Sequence, residues 1–137
     1  MKILDLLTPK RKIGNKGEAL AASYLKRHGY KIKKRNYVAF ENEIDIIAES
    51  KDTIAFIEVK TRTLGKENPK EPRPAAAVTP KKQRKIISAA KYYLGGIDNQ
   101  KEVSLDVIEV YLTPDGKKSD ILHIKNAFNR NTAYDRH

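Results

Sequence analysis

Two short segments of this chain combine carboxylates and a lysine at spacings that could do chemistry. Glu43 and Asp45 lie two residues apart, and Glu58 and Lys60 repeat that spacing further along. Residues 41–58 hold six acidic residues and one lysine, a local charge of −5, although the whole chain carries +11. Carboxylates that lie close together repel each other unless a cation lies between them. The pattern therefore predicts a bound cation in a protein whose overall charge favours a polyanionic partner.

Strand pairing gives this pattern a geometry. Both segments alternate apolar and polar residues, which predicts two strands. A two-residue turn at residues 51–52 would pair Ile46 with Ile57 and set Asp45 directly opposite Glu58, with Cβ atoms about 4.5–5.5 Å apart. A slip of one residue would turn Glu58 toward the apolar face, which burial forbids.

The facing carboxylates suit a hard divalent cation. Mg²⁺ prefers oxygen ligands and typically combines one or two carboxylates with substrate phosphate. Lys60 shares the strand face of Glu58, where it could orient an attacking water or offset charge on a phosphate. A metal ion could lower the pKa of that water. The alternative is a surface carboxylate pair with a cross-strand salt bridge from Lys60 to Asp45 or Glu43, since Glu-x-Lys alone is a common pattern.

Length and composition predict one domain with a single hydrophobic core. The chain has 137 residues, of which 39% are hydrophobic and 33% charged. No apolar run approaches the roughly 20 residues of a membrane helix, so we expect no membrane association and a cytoplasmic location. The absence of cysteine excludes disulfides and thiolate metal sites, and the three histidines are too scattered to predict zinc.

The basic residues predict an anionic partner, with nucleic acid first and an RNA- or ribosome-associated surface as the alternative. Residues 60–91 hold ten Lys and Arg against two Glu. The basic side chains expected to contact phosphates are Arg62, Lys66, Lys70, Arg73, Lys81, Lys82, Arg84 and Lys85. The last four open a predicted helix, whose N-terminus would add to phosphate binding. A solvated helix face is the other interpretation.

The elements that must position these residues follow the order α-β-β-β-α-β-β, which predicts one α/β domain with a mixed sheet. Asn15 could cap the first helix, with Glu18 as its capping-box partner, and Gly29 could end it. The predicted strands cover residues 30–40, 43–49, 53–62, 103–112 and 121–125.

The segments between the predicted strands and helices define the loops and the boundaries of the domain. Three prolines predict a loop over residues 63–78, and Thr79 with Pro80 predicts the start of the second helix, which stops at Gly95. A turn is expected at residues 113–116. The resulting organisation is a basic N-terminal extension (1–13), a single domain (14–126) and a C-terminal tail (127–137).

Asp45 followed by Glu58-Val59-Lys60 resembles the PD-(D/E)XK nuclease motif, and the order α-β-β-β-α-β resembles the core of that superfamily. The wider pattern, from about residue 13 to 112, is similar to the YraN family of predicted endonucleases. The segments that carry this resemblance are Gly14–Glu18, Gly29-Tyr30, Arg35-Asn36, Glu43–Ala48, Ile57–Arg62, Tyr92–Leu94 and Leu105–Ile108.

The resemblance implies a restriction-endonuclease-like fold and a Mg²⁺- or Mn²⁺-dependent enzyme that hydrolyses DNA phosphodiester bonds, in duplex, branched or damaged DNA. It implies metal ligands at Asp45, Glu58 and Val59. It also implies a catalytic lysine at Lys60, with Glu18 completing the acidic cluster. Resolvase-like enzymes of this fold often work as dimers, so the resemblance leaves open whether this protein forms a homodimer. The competing class is a nucleic-acid-binding module that keeps the fold and cleaves nothing.

Three further residues carry smaller expectations. Glu43 shares the face of Asp45 and could support the metal ligands or be a solvated strand residue. Gln83 lies on the inward stripe of the second helix, at the edge of the site. Asn42 stands where the YraN family usually has glycine, and asparagine tolerates the positive φ that glycine supplies. The aromatic residues fall mostly at positions compatible with a core, so they predict no base-stacking surface: Tyr24, Tyr30, Tyr37, Phe40, Phe56, Tyr92 and Tyr93.

Overall fold

A computed structural model of the chain describes residues 9–65 and 78–134, with side chains from residue 14 onward. In these ranges the elements are α1 (Pro9–Arg27), β1 (Lys31–Ala39), β2 (Asn42–Glu49), β3 (Thr53–Thr63), α2 (Pro80–Gly95), β4 (Glu102–Leu112), β5 (Ser119–Ile124) and α3 (Arg130–Tyr134). The predicted order of the first seven elements is confirmed. The short α3 lies in the segment predicted as a tail.

The strands form one five-stranded mixed sheet in the order β1-β2-β3-β4-β5. β3 and β4 are parallel, whereas the other neighbouring pairs are antiparallel. The parallel pair is possible because the connection between β3 and β4 contains α2, which carries the chain back along the sheet. The predicted α/β fold with a mixed sheet is therefore confirmed.

The predicted register of the β2–β3 hairpin is also confirmed. Ile46 pairs with Ile57, and the Ser50 N–H donates to the Thr53 carbonyl oxygen at 2.9 Å across a two-residue turn. The regular pairing ends at Ile46 and Ile57. Asp45 and Glu58 therefore lie one step beyond the last regular pair, where the strands begin to part.

Apolar side chains are buried on both faces of the sheet. Phe56 and Ile54 pack in a cluster with Ile86 of α2, whereas Ile57 packs with Leu25 of α1 in a second cluster. Because helices cover both faces, a polar side chain in the middle of β3 is enclosed by protein whichever way it points. This enclosure determines the environment of Glu58.

The start of α1 differs from the prediction. The helix begins at Pro9, so Asn15 and Glu18 lie inside it and the capping-box prediction was wrong. Proline at the first helical position is favoured because its fixed φ suits the helix and its missing N–H has no helical partner there. Gly14 in the helix interior costs only about 1 kcal/mol relative to alanine, which did not stop the helix.

The other helix boundaries agree with the sequence. Gly29 has a φ of +86°, as expected of a glycine that follows a helix. Thr79 caps α2, its hydroxyl oxygen accepting the Lys82 N–H at 3.2 Å, and Pro80 is the first helical residue. In the described part of the chain, no helix combines the length and the apolar character that a membrane-crossing segment requires.

Candidate active site

Asp45 lies in the middle of β2 and is held by the backbone of β3. Its Oδ2 accepts the Val59 N–H at 2.8 Å. Val59 stands between Glu58 and Lys60, so this bond fixes the Asp45 carboxylate beside both of them. The three residues of the predicted motif are therefore brought to one place, because the β2–β3 register delivers them there.

Glu58 is the unusual member of this group. Only 6% of the residue is exposed, and its Oε2 is a buried atom without a hydrogen-bond partner in the described residues. Two ammonium groups lie nearby, with Lys60 Nζ 3.8 Å from Oε1 and Lys82 Nζ 4.0 Å from Oε2. A buried acceptor without a hydrogen bond is costly, so a partner from outside the described residues would stabilise this oxygen.

The electrostatics of the two carboxylates follow from this burial. The pKa of Glu58 is raised to about 7, chiefly by burial and then by the negative charge of Asp45, against the opposing effect of Lys82 and Lys60. Burial also raises the pKa of Asp45, while the Val59 N–H acts in the opposite direction. Charging both groups together is unfavourable, and a bound cation would relieve that cost.

The donor set fits a metal that needs few protein ligands. Asp45 and Glu58 offer carboxylate oxygens, and Val59 can add only its backbone carbonyl. Among the described residues no group of three or more His, Cys, Asp or Glu side chains is placed to hold a metal ion. Two carboxylates match the way Mg²⁺ binds, with water and substrate phosphate completing the coordination. Lys60 and Lys82 already offset part of the negative charge.

Glu18 is connected to this site through Asn36, which belongs to the segments that carry the family resemblance but was not predicted as a site residue. When its amide nitrogen is turned toward the carboxylates, Asn36 donates to Glu18 Oε1 at 2.9 Å and to Glu43 Oε1 at 3.2 Å. Asn36 has a φ of +52° in β1, a conformation that asparagine tolerates better than most residues. The Glu43 charge in turn raises the pKa of Asp45. Asn36 thus links α1 to the acidic end of β2.

A glycine contact places α1 against β3. A Cβ built on Gly17 would lie 1.8 Å from the Thr61 hydroxyl oxygen. Only glycine permits this approach, which holds the neighbouring Glu18 close to the strand that carries Lys60. The glycine is a visible sequence signal, but its contact with Thr61 is a tertiary feature that the chain order alone does not reveal.

The predicted phosphate-binding residues fall in different places. Lys82 lies beside Glu58, as described above, and Lys81 and Lys85 are exposed. Arg84 is engaged with α3: its Nη1 donates to the Ala133 carbonyl at 2.8 Å, and its guanidinium lies 5.8 Å from the centre of the Tyr134 ring. Arg62 on β3 is half-buried. The predictions for Lys66, Lys70 and Arg73 lie outside the described residues.

Gln83 joins α2 to its neighbours. Its Nε2 donates to the Val78 carbonyl at 2.8 Å, and its Oε1 accepts from the Thr132 hydroxyl at 2.7 Å. Both ends of the amide are therefore occupied by contacts at the α3 side of α2. Its expected position at the edge of the site stays a prediction.

Two aromatic residues depart from the expected core positions. Phe40 is 78% exposed and Tyr92 is 59% exposed, and their rings contact each other edge to face with centroids 5.1 Å apart. The positive φ in this turn also lies at Phe40, at +61°, and not at Asn42 as expected. Phe40 follows the last residue of β1, where the tight turn into β2 imposes this conformation.

Comparison with known proteins places the chain in a family. Residues 17–110 match the model of the uncharacterised protein family UPF0102. The chain is 47% identical over 122 residues to a UPF0102 protein of Chlorobium phaeobacteroides, covering 85% of this chain and 92% of the relative. It is 44% identical to a UPF0102 protein of Geobacter metallireducens, covering 86% and 93%. One from Caldanaerobacter subterraneus is 40% identical, covering 87% and 96%. The matched residues include all of the site described above, and the chain belongs to the UPF0102 family.

Proposed function

We propose that this protein is a metal-dependent endonuclease that hydrolyses DNA phosphodiester bonds at Asp45, Glu58 and Lys60. The observation that carries the proposal is the buried Oε2 of Glu58, which has no hydrogen-bond partner among residues 9–65 and 78–134 and lies in a cluster with Asp45. A carboxylate pair of this kind gains most from a divalent cation. The net charge of +11 supplies the attraction for a polyanionic substrate.

The proposed role of each residue follows from its position in the site. Asp45 and Glu58, with the Val59 carbonyl, would hold Mg²⁺ or Mn²⁺, which when bound activates water and stabilises charge on the phosphate. Lys60, whose ammonium lies 3.8 Å from Glu58, orients the attacking water or offsets negative charge as the phosphorus is attacked. The Val59 N–H keeps the Asp45 carboxylate in place.

Lys82 and the acidic flank complete the proposed arrangement. Lys82 approaches Glu58 from α2, so it is placed to meet a phosphate group at the site rather than on a distant surface. On the opposite flank, Glu18 and Glu43 share the Asn36 amide. The charge of Glu43 acts directly on Asp45, which favours cation binding, and Glu18 is connected to Glu43 through Asn36.

The sequence resemblance supports the same chemistry. Asp45 with Glu58-Val59-Lys60 resembles the PD-(D/E)XK motif, and the order of the elements resembles the core of that superfamily. The wider pattern is similar to the YraN family of predicted endonucleases. The Holliday-junction resolvases of the superfamily suggest branched or damaged DNA as the substrate, and resolvase-like enzymes of this fold often work as dimers.

A second candidate is a nucleic-acid-binding module without catalysis. It is favoured by the two ammonium groups that already lie within 4.0 Å of Glu58, because they offset the carboxylate charge without a metal. This alternative keeps the basic surface and explains the salt bridges. It does not explain why no described residue donates a hydrogen bond to Oε2 of Glu58.

The deciding experiment incubates the protein with duplex, nicked, flapped and four-way DNA, with Mg²⁺, with Mn²⁺ and with chelator. Asp45→Asn, Glu58→Gln and Lys60→Ala should abolish metal-dependent cleavage. The matched control is Glu49→Gln, which removes a carboxylate from β2 that pairs with Lys33 and Lys101 instead; it should cut normally. Binding without cleavage by the wild type, or equal cleavage by the variants, would overturn the enzyme assignment.

A further inference from the structure

The side chains of Phe40 and Tyr92 are exposed, and the backbone conformation at Phe40 costs free energy. A bulky residue at a φ of +61° is strained, and glycine or asparagine would fit the turn better. Burial of the two rings offsets little of this strain, because Phe40 is 78% exposed and Tyr92 is 59% exposed. An exposed aromatic ring in a strained turn indicates that a ligand binds against the face of the ring.

One stripe of α2 connects this aromatic pair to the candidate active site. Lys81, Lys85, Ser88 and Tyr92 follow the spacing i, i+4, i+7 and i+11, and all four are exposed. At 1.5 Å per residue the stripe is about 16 Å long, which corresponds to roughly five stacked nucleotides at about 3.4 Å each. Next to the start of the stripe, Lys82 contacts Glu58.

We propose that Phe40 and Tyr92 stack an unpaired base of a nucleic-acid strand, whose phosphates follow the lysines of α2 toward Glu58. The substrate class is a nucleic acid with a single-stranded segment beside the bond to be cut, such as a flap, gap or open junction arm. Base stacking on aromatic side chains requires unpaired bases and tolerates any sequence. The part of this proposal that concerns the cut bond depends on the proposed function, whereas the stacking contact does not.

Charge favours this occupant over a second copy of the chain. Two molecules that each carry +11 repel each other, whereas a strand of phosphates is attracted. On β1, which leads into Phe40, the exposed residues include Lys33, Lys34 and Arg35. Glu41, exposed beside Phe40, would repel a phosphate at that point, so the position suits the base rather than the backbone.

The test measures binding of a labelled oligothymidine of about 12 nucleotides, a length within the range of small single-strand-binding domains. Chelator is present so that no cleavage occurs. Phe40→Asn removes the ring and keeps a residue that tolerates positive φ. Tyr92→Ala removes the second ring, and Tyr92→Phe restores it. The matched control is Leu122→Ala, which removes an exposed apolar side chain from β5 at the opposite edge of the sheet.

Phe40→Asn and Tyr92→Ala should each weaken binding roughly 5- to 150-fold, the range expected for loss of one stacked base. Tyr92→Phe and Leu122→Ala should bind like the wild type. A 2-aminopurine base in the strand should lose fluorescence on binding the wild type and regain it with Phe40→Asn. Affinity for a blunt duplex should change little, because its bases are already paired.

Contrary outcomes are distinct. Equal affinity of Phe40→Asn and the wild type overturns the stacking proposal, even if both proteins cut DNA. Dissociation of a dimer by Phe40→Asn in analytical ultracentrifugation, with binding unchanged, assigns the pair to a second copy instead. Stacking without any cleavage by the wild type supports this inference while the proposed enzymatic function fails, and no binding to any nucleic acid overturns both.

Discussion

Replacing Glu58 with glutamine should stabilise the metal-free protein at alkaline pH. The folded protein holds the pKa of Glu58 at about 7, whereas the ordinary value is 4.5. Between these values the folded state keeps a proton that the unfolded state has lost, so the contribution of this carboxyl to stability falls as pH rises. Glutamine has nearly the same shape and no charge, so it escapes this loss.

The magnitude follows from the difference between the two pKa values. Moving the pKa of Glu58 from 4.5 to about 7 corresponds to about 3 kcal/mol, at roughly 1.4 kcal/mol per pH unit. The attractions of Lys60 and Lys82 are already included in this pKa, so they need no separate allowance. Relative to the wild type, Glu58→Gln should therefore gain about 2–3 kcal/mol between about pH 5 and about pH 8.

Denaturant unfolding in chelator at the two pH values measures this gain, because groups that do not interact with Glu58 cancel in the difference. Asp45 does interact with it, and loss of the repulsion between the two carboxylates acts in the same direction as the gain. Glu49→Gln is the matched control, since its carboxylate is paired at 3.5 Å with both Lys33 and Lys101, and it should show no such gain at pH 8. Millimolar Mg²⁺ should stabilise the wild type and leave Glu58→Gln unchanged. A gain that does not grow from pH 5 to pH 8 would refute the argument that Glu58 is charged at a cost.

Three further predictions concern the residues that hold the site and the sheet. Gly17→Ala should lower the free energy of unfolding by about 1–3 kcal/mol in denaturant unfolding, because the new Cβ clashes with Thr61. Adding Thr61→Gly should restore part of this loss. If the two substitutions destabilise the double variant by the sum of their separate effects, the contact is contradicted. Asn36→Asp should lower the melting temperature and the cleavage rate together, because it adds a third negative charge beside Glu18 and Glu43. An unchanged melting temperature and cleavage rate would disprove the hydrogen bonds from Asn36 to these two carboxylates. Asp106→Ala should cost about 1–3 kcal/mol in calorimetry, because it leaves the His123 side chain, which is 3% exposed, without its 2.7 Å hydrogen-bond partner. A smaller loss than that of an exposed control, Asp120→Ala, would be inconsistent with this.

The β2–β3 hairpin shows how far the sequence can be read. Its register could be predicted because a one-residue slip would move every side chain of β3 to the other face of the sheet and break the match of Ile46 with Ile57. The expectation of a single apolar face was wrong, because Ile54 and Phe56, on the same face as Glu58, are buried as well. The two-residue turn left a single pairing that matched the apolar faces, and the structure has that pairing. The start of α1 was predicted wrongly because capping residues also occur inside helices, and the local sequence contains no signal that excludes Pro9.

The environment of the site depended on contacts between distant segments. Nothing in the alternation of β3 shows that Lys82 of α2 lies 4.0 Å from Glu58, or that Asn36 of β1 joins Glu18 to Glu43. Both contacts depend on how helices and edge strands pack over the sheet. The exposure of Phe40 and Tyr92 was likewise invisible, because an aromatic residue at a core-compatible position is usually buried.

Strand periodicity and turn length are local properties, so the sequence was enough to predict the order of the elements, the mixed sheet and the meeting of Asp45, Glu58 and Lys60. Packing between distant segments, in contrast, covers both faces of the sheet with helices and leaves Oε2 of Glu58 buried with no hydrogen bond from the described part of the chain. Burial of that oxygen is what raises the pKa of Glu58, since the cost of a charge depends on everything packed around it.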